Sequence, residues 1–329
     1  MTDSAASADR TAVLAGAAQA SLLAPSVFNT QPWRWRIAGD TMELSADPER
    51  RLDVTDPEGR QLLLSCGTAL HHARTALAAA GWSATVERIS DEEHPHLLAR
   101  IRLGAAGSPD PRAQALVDAM PRRRTDRRPF GDRTVPDAVL TELRLAVENE
   151  GAYLHVVRPD QVPLLAISAA RAADAELSDP AYREELHRWT HRPEDSGDGV
   201  PPATAVEQSL RRVPVRDFSP DVAPGLAAGE DVDRGAAYVV IFGMTDKPTD
   251  LLRGGEAMSA LLLAGTAEGL ATAPFTDAVE VGWPRRLVQD LLSGIGEPYV
   301  VVRLGYVESD EPLPPAPRRS PADVITIEG

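Results

Sequence analysis

The chain has 329 residues, 49 acidic and 34 basic, for a formal charge of −15, with 43% apolar, 25% charged and 5% aromatic side chains. This globular composition excludes a disordered chain and provides material for about two domain-sized units. The negative balance argues against general affinity for nucleic acid or anionic lipid, and no apolar run reaches the ~18 residues of a membrane span.

In chain order, residues 11–24 are rich in Ala and Leu and stop at Pro25, which predicts a helix. Alternation of apolar and polar residues predicts strands at 33–37 and 41–45. Residues 60–80 predict a long, mostly apolar helix closed by Gly81. Strands are expected at 83–89 and 97–103, helices at 111–120 and 136–149, and a strand at 152–158. A second long apolar helix is predicted at 254–270, then a helix at 284–293 and a strand at 298–305. The alternation reads as an α/β (α+β) chain. The first ten residues lack the basic and apolar regions of a signal peptide, so a cytoplasmic protein is expected.

The two long apolar helices look related. Residues 68–81 match 259–272 at an offset of 191, with identities such as Leu70/Leu261, Ala73/Ala264 and Thr75/Thr266. Val27, Asn29 and Trp33 fall on Val147, Asn149 and Tyr153 at an offset of 120. The two offsets together read as a duplicated unit, residues 1–120 and 121–329, with about 71 extra residues in the second copy. Residues 172–235, rich in Pro, Gly and Asp, are the expected insertion. Within it, Tyr182, Leu186, Trp189 and Phe218 are costly to leave in water and predict docking onto another part of the molecule.

Three stretches carry chemistry. Pro25-Ser-Val-Phe-Asn-Thr-Gln-Pro-Trp33 is a stiff turn whose Asn29 and Gln31 amides suit a planar heterocycle, and equally suit a well-capped structural turn. Residues 122–128 (RRRTDRR) place five arginines in seven positions, which repel one another unless an anion neutralises them. The net charge and the lack of interleaved aromatics favour a compact anion site over a nucleic-acid patch. After the last strand, Pro317-Arg-Arg319 either closes that site or forms a frayed basic tail.

These residues resemble the signature stretches of the FMN-dependent nitroreductase superfamily, in which an Arg-Arg-Ser-x-Arg motif holds the FMN phosphate. Here the equivalents are residues 25–33 and Arg123-Arg-Thr-x-Arg127. With the duplication, the chain is most similar to the Acg-like branch, in which two nitroreductase-like halves are fused. Residues 269–274 (GLATAP) resemble the superfamily's segment beside the isoalloxazine.

The resemblance implies a three-layer fold, a monomeric pseudo-dimer with one flavin site, since each half lacks the motif that the other keeps. Further dimerisation stays open. It implies that Ser26, Asn29 and Gln31 face the ribityl chain and pyrimidine ring. Arg123, Thr125 and Arg319 would bind phosphate, with Arg124 and Arg318 as neighbours. Arg127 would approach the N1/O2 edge, and the backbone near Phe275 and Thr276 would lie by N5. The implied activity is hydride transfer from NADH or NADPH through FMN to a small nitro, quinone or enone acceptor. The alternative is an FMN-sequestering protein whose insertion forms a lid over the flavin.

Other candidates read as structural. Cys66 lies on an apolar helix, where a packed thiol is expected, and one cysteine excludes an intrachain disulfide. His71 and His72 are adjacent and point about 100° apart on a helix, a poor metal-ligand spacing. His187 and His191 are read as surface of the insertion, and no metal site is expected.

Overall fold

The computed structural model describes residues 2–328 apart from 90, 92, 219–222, 230 and 310. The first half runs α1 (Thr2–Ser21), β1 (Trp33–Ala38), β2 (Thr41–Ala46), α2 (Arg60–Ala79), β3 (Trp82–Arg88), β4 (Leu97–Ala106) and α3 (Pro111–Ala119). The second runs α4 (Asp137–Asn149), β5 (Tyr153–Val156), α5 (Val162–Ser178), α6 (Pro180–Thr190), β6 (Ala237–Gly243), α7 (Pro248–Ala267), β7 (Ala271–Phe275), α8 (Asp277–Glu280), α9 (Gly282–Leu291) and β8 (Glu297–Gly305). The chain closes with α10 (Pro321–Val324) and β9 (Ile325–Glu328).

The strands form two sheets, β3-β4-β2-β1-β9 and β5-β6-β8-β7. Without β9, both have the same order and every neighbouring pair is antiparallel. The repeat is therefore visible in the topology as well as the sequence. Its register differs from the sequence alignment. Gly81 and Gly269 each end a central helix at positive φ, 80° and 77°, and are 188 residues apart rather than 191. Alanine-rich helices align almost equally well when slipped by about a turn; the glycine geometry removes that degeneracy.

In β1, Trp33, Trp35 and Ile37 point inward while Arg34 and Arg36 face out, so one face of this sheet is buried. Strands β6 and β8 are buried almost throughout, because α7 covers one face of their sheet and α5, α8 and α9 cover the other. Helices α2 and α7 pack against each other more extensively than any other pair of helices, between the two sheets. Their contact needs glycine. A Cβ on Gly67 would lie 2.1 Å from the Leu252 carbonyl oxygen, and one on Gly255 would lie 2.0 Å from that of Leu64.

Two residues join β1 to β2, whereas residues 157–236 separate β5 from β6. This added chain starts earlier than the expected 172. Its first part is α5, whose Val162, Leu165 and Ala169 fill the core under β6 and β8. The expected docking of Tyr182, Leu186 and Trp189 is observed on α6, and their partners are Phe28 and Leu52 of the first half. Among the described residues, no helix is long and apolar enough to cross a membrane.

Candidate functional site

The turn before β1 is strained and heavily tied. Phe28, Asn29 and Gln31 have positive φ (46°, 54° and 50°), which side-chain-bearing residues rarely adopt. Ser26 Oγ accepts from the Gln31 amide at 2.8 Å, and Thr68 Oγ1 of α2 donates to the Pro25 carbonyl at 2.6 Å. Asn29 Nδ2 donates to the Gly199 and Pro317 carbonyls at 3.1 and 3.0 Å. The turn thus gathers α2, the added chain and the C-terminal tail at one place.

A bent cleft opens beside it, with two arms of about 610 and 840 Å³ that share Pro25, Ser26, Phe28, Thr125 and Arg127. The first arm is cationic. Arg123, Arg124, Thr125 and Arg127 approach it from the loop after α3, and Arg318 comes from the tail. Among the described residues, none of these four arginines has a carboxylate within ion-pair distance, although Arg123 is 3% exposed. Arg123 Nε and Nη1 and Arg124 Nε are buried without a hydrogen-bond partner. Burial, then the neighbouring guanidiniums, push Arg123 down to about 10 and Arg318 to about 9. Positive charge is concentrated there, and among the described residues no carboxylate pairs with it.

The second arm is mostly apolar. Pro274 and Phe275 of β7, Met258 of α7, Leu64 of α2, and Phe28 and Phe218 line it. The added chain lines part of both arms, with Gly199, Val200 and Pro201 on the first and Val215, Arg216 and Phe218 on the second. Phe218 meets Phe28 edge-on at 5.6 Å, and Arg127 lies 4.4 Å above the Phe218 ring.

The expected site residues divide into two groups. Ser26, Asn29, Arg123, Arg124, Thr125, Arg127 and Arg318 line the cationic arm, and Phe275 and Thr276 line the apolar one. Gln31 and Arg319 line neither arm. Gln31 is fully buried, donates to the Gly197 carbonyl at 2.8 Å and accepts from the Arg319 amide at 2.9 Å. The Arg319 guanidinium donates to the Gln31 carbonyl at 2.9 Å and the Asp323 carbonyl at 3.2 Å, and pairs with Asp47 at 3.4 Å. Its partners are protein groups that clamp the tail to the turn; the Arg318 guanidinium also donates to the Leu23 and Ala24 carbonyls, at 2.9 and 2.6 Å, but of the two it is the one that lines the cleft.

The comparisons bear on what such a cleft belongs to. No family model matches the chain. A Mycobacterium tuberculosis protein named "Putative NAD(P)H nitroreductase Rv3131" is 38% identical over 308 residues, 92% of this chain and 88% of that one. A second from the same organism, "Putative NAD(P)H nitroreductase acg", is 36% identical over 317 residues, 96% of this chain and 95% of that one. The chain belongs to the Acg-like nitroreductase family. Among solved structures, the FMN-dependent nitroreductase NfnB of Mycobacterium smegmatis, in complex with NADPH, covers 64% of this chain and 96% of its own at 16% identity and a TM-score of 0.41.

Two cleft residues of this Acg-like chain escaped the sequence reading. Arg303 of β8 is 1% exposed, pairs with both Asp233 oxygens at 2.7 and 2.8 Å, and donates to the Asp126 and Arg128 carbonyls at 2.9 Å. It thereby fixes the arginine loop against the sheet. A lone arginine inside the apolar run of 299–304 was its available signal. Arg216 carried no comparable signal, because its carboxylate partners are distant in sequence. Cys66 is buried against the Pro32 carbonyl at 3.2 Å, and burial raises its thiol far above the usual range, consistent with a packed, inert role. Among the described residues, no cluster could hold a metal ion.

Proposed function

We propose that this chain is an FMN-dependent NAD(P)H oxidoreductase that reduces a small nitro, quinone or enone acceptor. The arginine cluster, unpaired among the described residues, beside a mostly apolar arm carries this reading. The buried, unpartnered nitrogens of Arg123 and Arg124 suit an anion with several oxygens, as a phosphate monoester has. Thr125 adds a hydroxyl, and Arg318 a further guanidinium. Ser26 and Asn29 flank the bend where a ribityl chain would pass, while Pro274, Phe275 and Met258 supply an apolar bed for a ring system. Gln31 and Arg319 act from behind by holding the strained turn in shape. The names of the M. tuberculosis relatives, NAD(P)H nitroreductases, support NAD(P)H as donor.

FMN, when bound, supplies the chemistry of accepting a hydride and passing it on. The chain's own residues bind, orient and exclude water. Arg127 stands where the two arms meet and favours negative charge in their shared space. Phe28 and Phe218 keep that space dry.

A second reading, FMN sequestration, draws support from the added chain's residues in the lining of both arms, where it would act as a lid. One experiment separates the readings. Reconstituted protein is expected to hold one FMN per chain, and anaerobic NADPH or NADH should bleach its visible absorbance within a turnover time. Stoichiometric FMN without bleaching would favour sequestration, and no retained FMN would overturn both.

A further inference from the structure

Part of the apolar arm's lining comes from the first turns of α2. The helix opens after Gly59, at φ 71°, where Asp56 Oδ2 accepts from the Leu62 amide at 2.8 Å. That start sets Gln61, Leu64 and Ser65, spaced three and four residues apart, on one helix face, and all three line the arm. The Ser65 hydroxyl donates to the Gln61 carbonyl at 2.7 Å and accepts from the Val27 amide at 3.2 Å, which ties this part of α2 to the strained turn before β1.

Gln61 is 3% exposed, and its side-chain amide nitrogen is buried with no hydrogen-bond partner among the described residues. Other polar side chains on the arm are taken. Thr276 donates its hydroxyl hydrogen to Glu280 Oε1, and the Asp277 carboxylate accepts from the Ala278 amide at 2.9 Å. Arg216 Nε and Arg303 Nε also lack partners, but each belongs to a guanidinium already paired with carboxylates, Glu176 and Glu280 for Arg216 and Asp233 for Arg303. The Gln61 amide is the one uncharged side-chain nitrogen in the lining. Such a donor, buried among apolar groups, costs free energy until an oxygen meets it. Gln61 also lines a separate cavity of about 570 Å³ with Asp56, Glu58 and Glu280, so it borders two spaces that could hold its partner.

We propose that the Gln61 side-chain amide donates a hydrogen bond to a carbonyl or nitro oxygen of the acceptor in the apolar arm, and so selects acceptors by that oxygen. The proposal rests on the oxidoreductase reading above and adds a specificity-determining residue to it. The apolar lining, with Phe28, Phe218 and Phe275, takes the flat body of the acceptor, and Gln61 gives its oxygen an uncharged donor. A carbonyl of the flavin ring offers the same chemistry, and a water in the second cavity is the remaining competitor. The experiment separates the three.

The test uses the FMN-loaded full chain and its Gln61→Met and Gln61→Leu variants, which remove the donor at similar side-chain volume, with Tm and FMN affinity measured first. Menadione is the oxygen-bearing acceptor. Methylene blue, a flat two-electron acceptor without a carbonyl or nitro oxygen, is the control. Because donor and acceptor react with FMN in turn, kcat/KM for the acceptor reports its own half-reaction alone. Both variants are expected to lower kcat/KM for menadione about three- to tenfold, the range of one uncharged hydrogen bond. They should leave kcat/KM for methylene blue and the FMN affinity within about twofold. In the oxidised parent, an infrared C=O stretch of bound menadione, identified by carbon-13 labelling, should lie below its position in hydrocarbon solvent and should move back up in both variants. An unchanged menadione kcat/KM gives the amide to water in the second cavity and overturns the proposal. So does an equal fall for both acceptors, an unshifted C=O band, or a fall in FMN affinity as large as that for menadione, which gives the donor to a flavin carbonyl. Each of these results in a chain that holds FMN and reduces menadione overturns the role of Gln61 alone. A parent chain that takes up no FMN, or is not reduced by NADPH, overturns the oxidoreductase reading and this role with it.

Discussion

Arg123 and Arg319 are both buried arginines beside the same turn, yet their surroundings assign them different work. Among the described residues, two buried nitrogens of Arg123 have no hydrogen-bond partner, while the Arg319 guanidinium is surrounded by protein oxygens. Arg123→Ala is expected to remove a charge-assisted phosphate contact of about 1.5–3 kcal/mol, weakening FMN binding roughly ten- to more than a hundredfold by fluorescence titration. Cys66→Ala should leave that affinity within a few-fold. His71 carries a pH prediction. Burial against Ser259 at 2.8 Å holds its imidazole neutral, with a pKa lowered to about 4. A depressed folded-state value means that the unfolded chain takes up the proton first, below about 6.5. Stability is therefore full above that pH and falls between 6.5 and 4, by on the order of 3 kcal/mol from this residue. Denaturant unfolding at pH 7 and pH 4 should show a smaller acid loss in His71→Asn. Asp56 and Asp277, raised to about 6, act in the opposite sense over the same window, so the comparison must be between variants rather than between pH values alone.

At the scale of elements, the α2–α7 contact depends on Gly67 and Gly255, where an added Cβ would meet backbone rather than a movable side chain. Gly67→Ala is expected to cost about 3 kcal/mol or more and to lower the Tm, because neither helix can yield without disturbing its sheet. Gly16→Ala, a helical site with nothing within 4 Å, provides the control and should be neutral or slightly stabilising. The elements were legible in sequence where periodicity was strong. Helix α2 was expected at 60–80 and is observed at Arg60–Ala79; β1 and β2 agree to within a residue. Helix α5 escaped because it lies in a region whose second part is rich in Pro and Gly, and its apolar face was indistinct until α8 and α9 were placed against it. Strand β6 escaped because a short apolar run has no period of its own when both faces are buried.

Over the whole molecule, the added chain converts two similar halves into one asymmetric cleft. It is held on the first half by Glu185, which accepts from the Val54 and Thr55 amides at 3.2 and 2.8 Å, and by Asp198, which pairs with Arg50. At the apolar arm, Phe218 is the aromatic ring that the added chain contributes to the lining. Phe218→Ala is expected to speed the reduction of bound FMN by dithionite several-fold at equal occupancy. Equal rates in the two proteins would show that this cover does not limit access. The sequence by itself determined the helices with strong periodicity, the repeat, the arginine run and the turn at 25–33, because each is written in local spacing or residue type. Tertiary structure alone decided which tail arginine reaches the cleft, how the repeats align, and that Glu176 and Glu280, about a hundred residues apart, share the Arg216 guanidinium. Those outcomes depend on which backbone and side-chain groups remain unpartnered once the two sheets and the added chain have packed, and no local pattern records that.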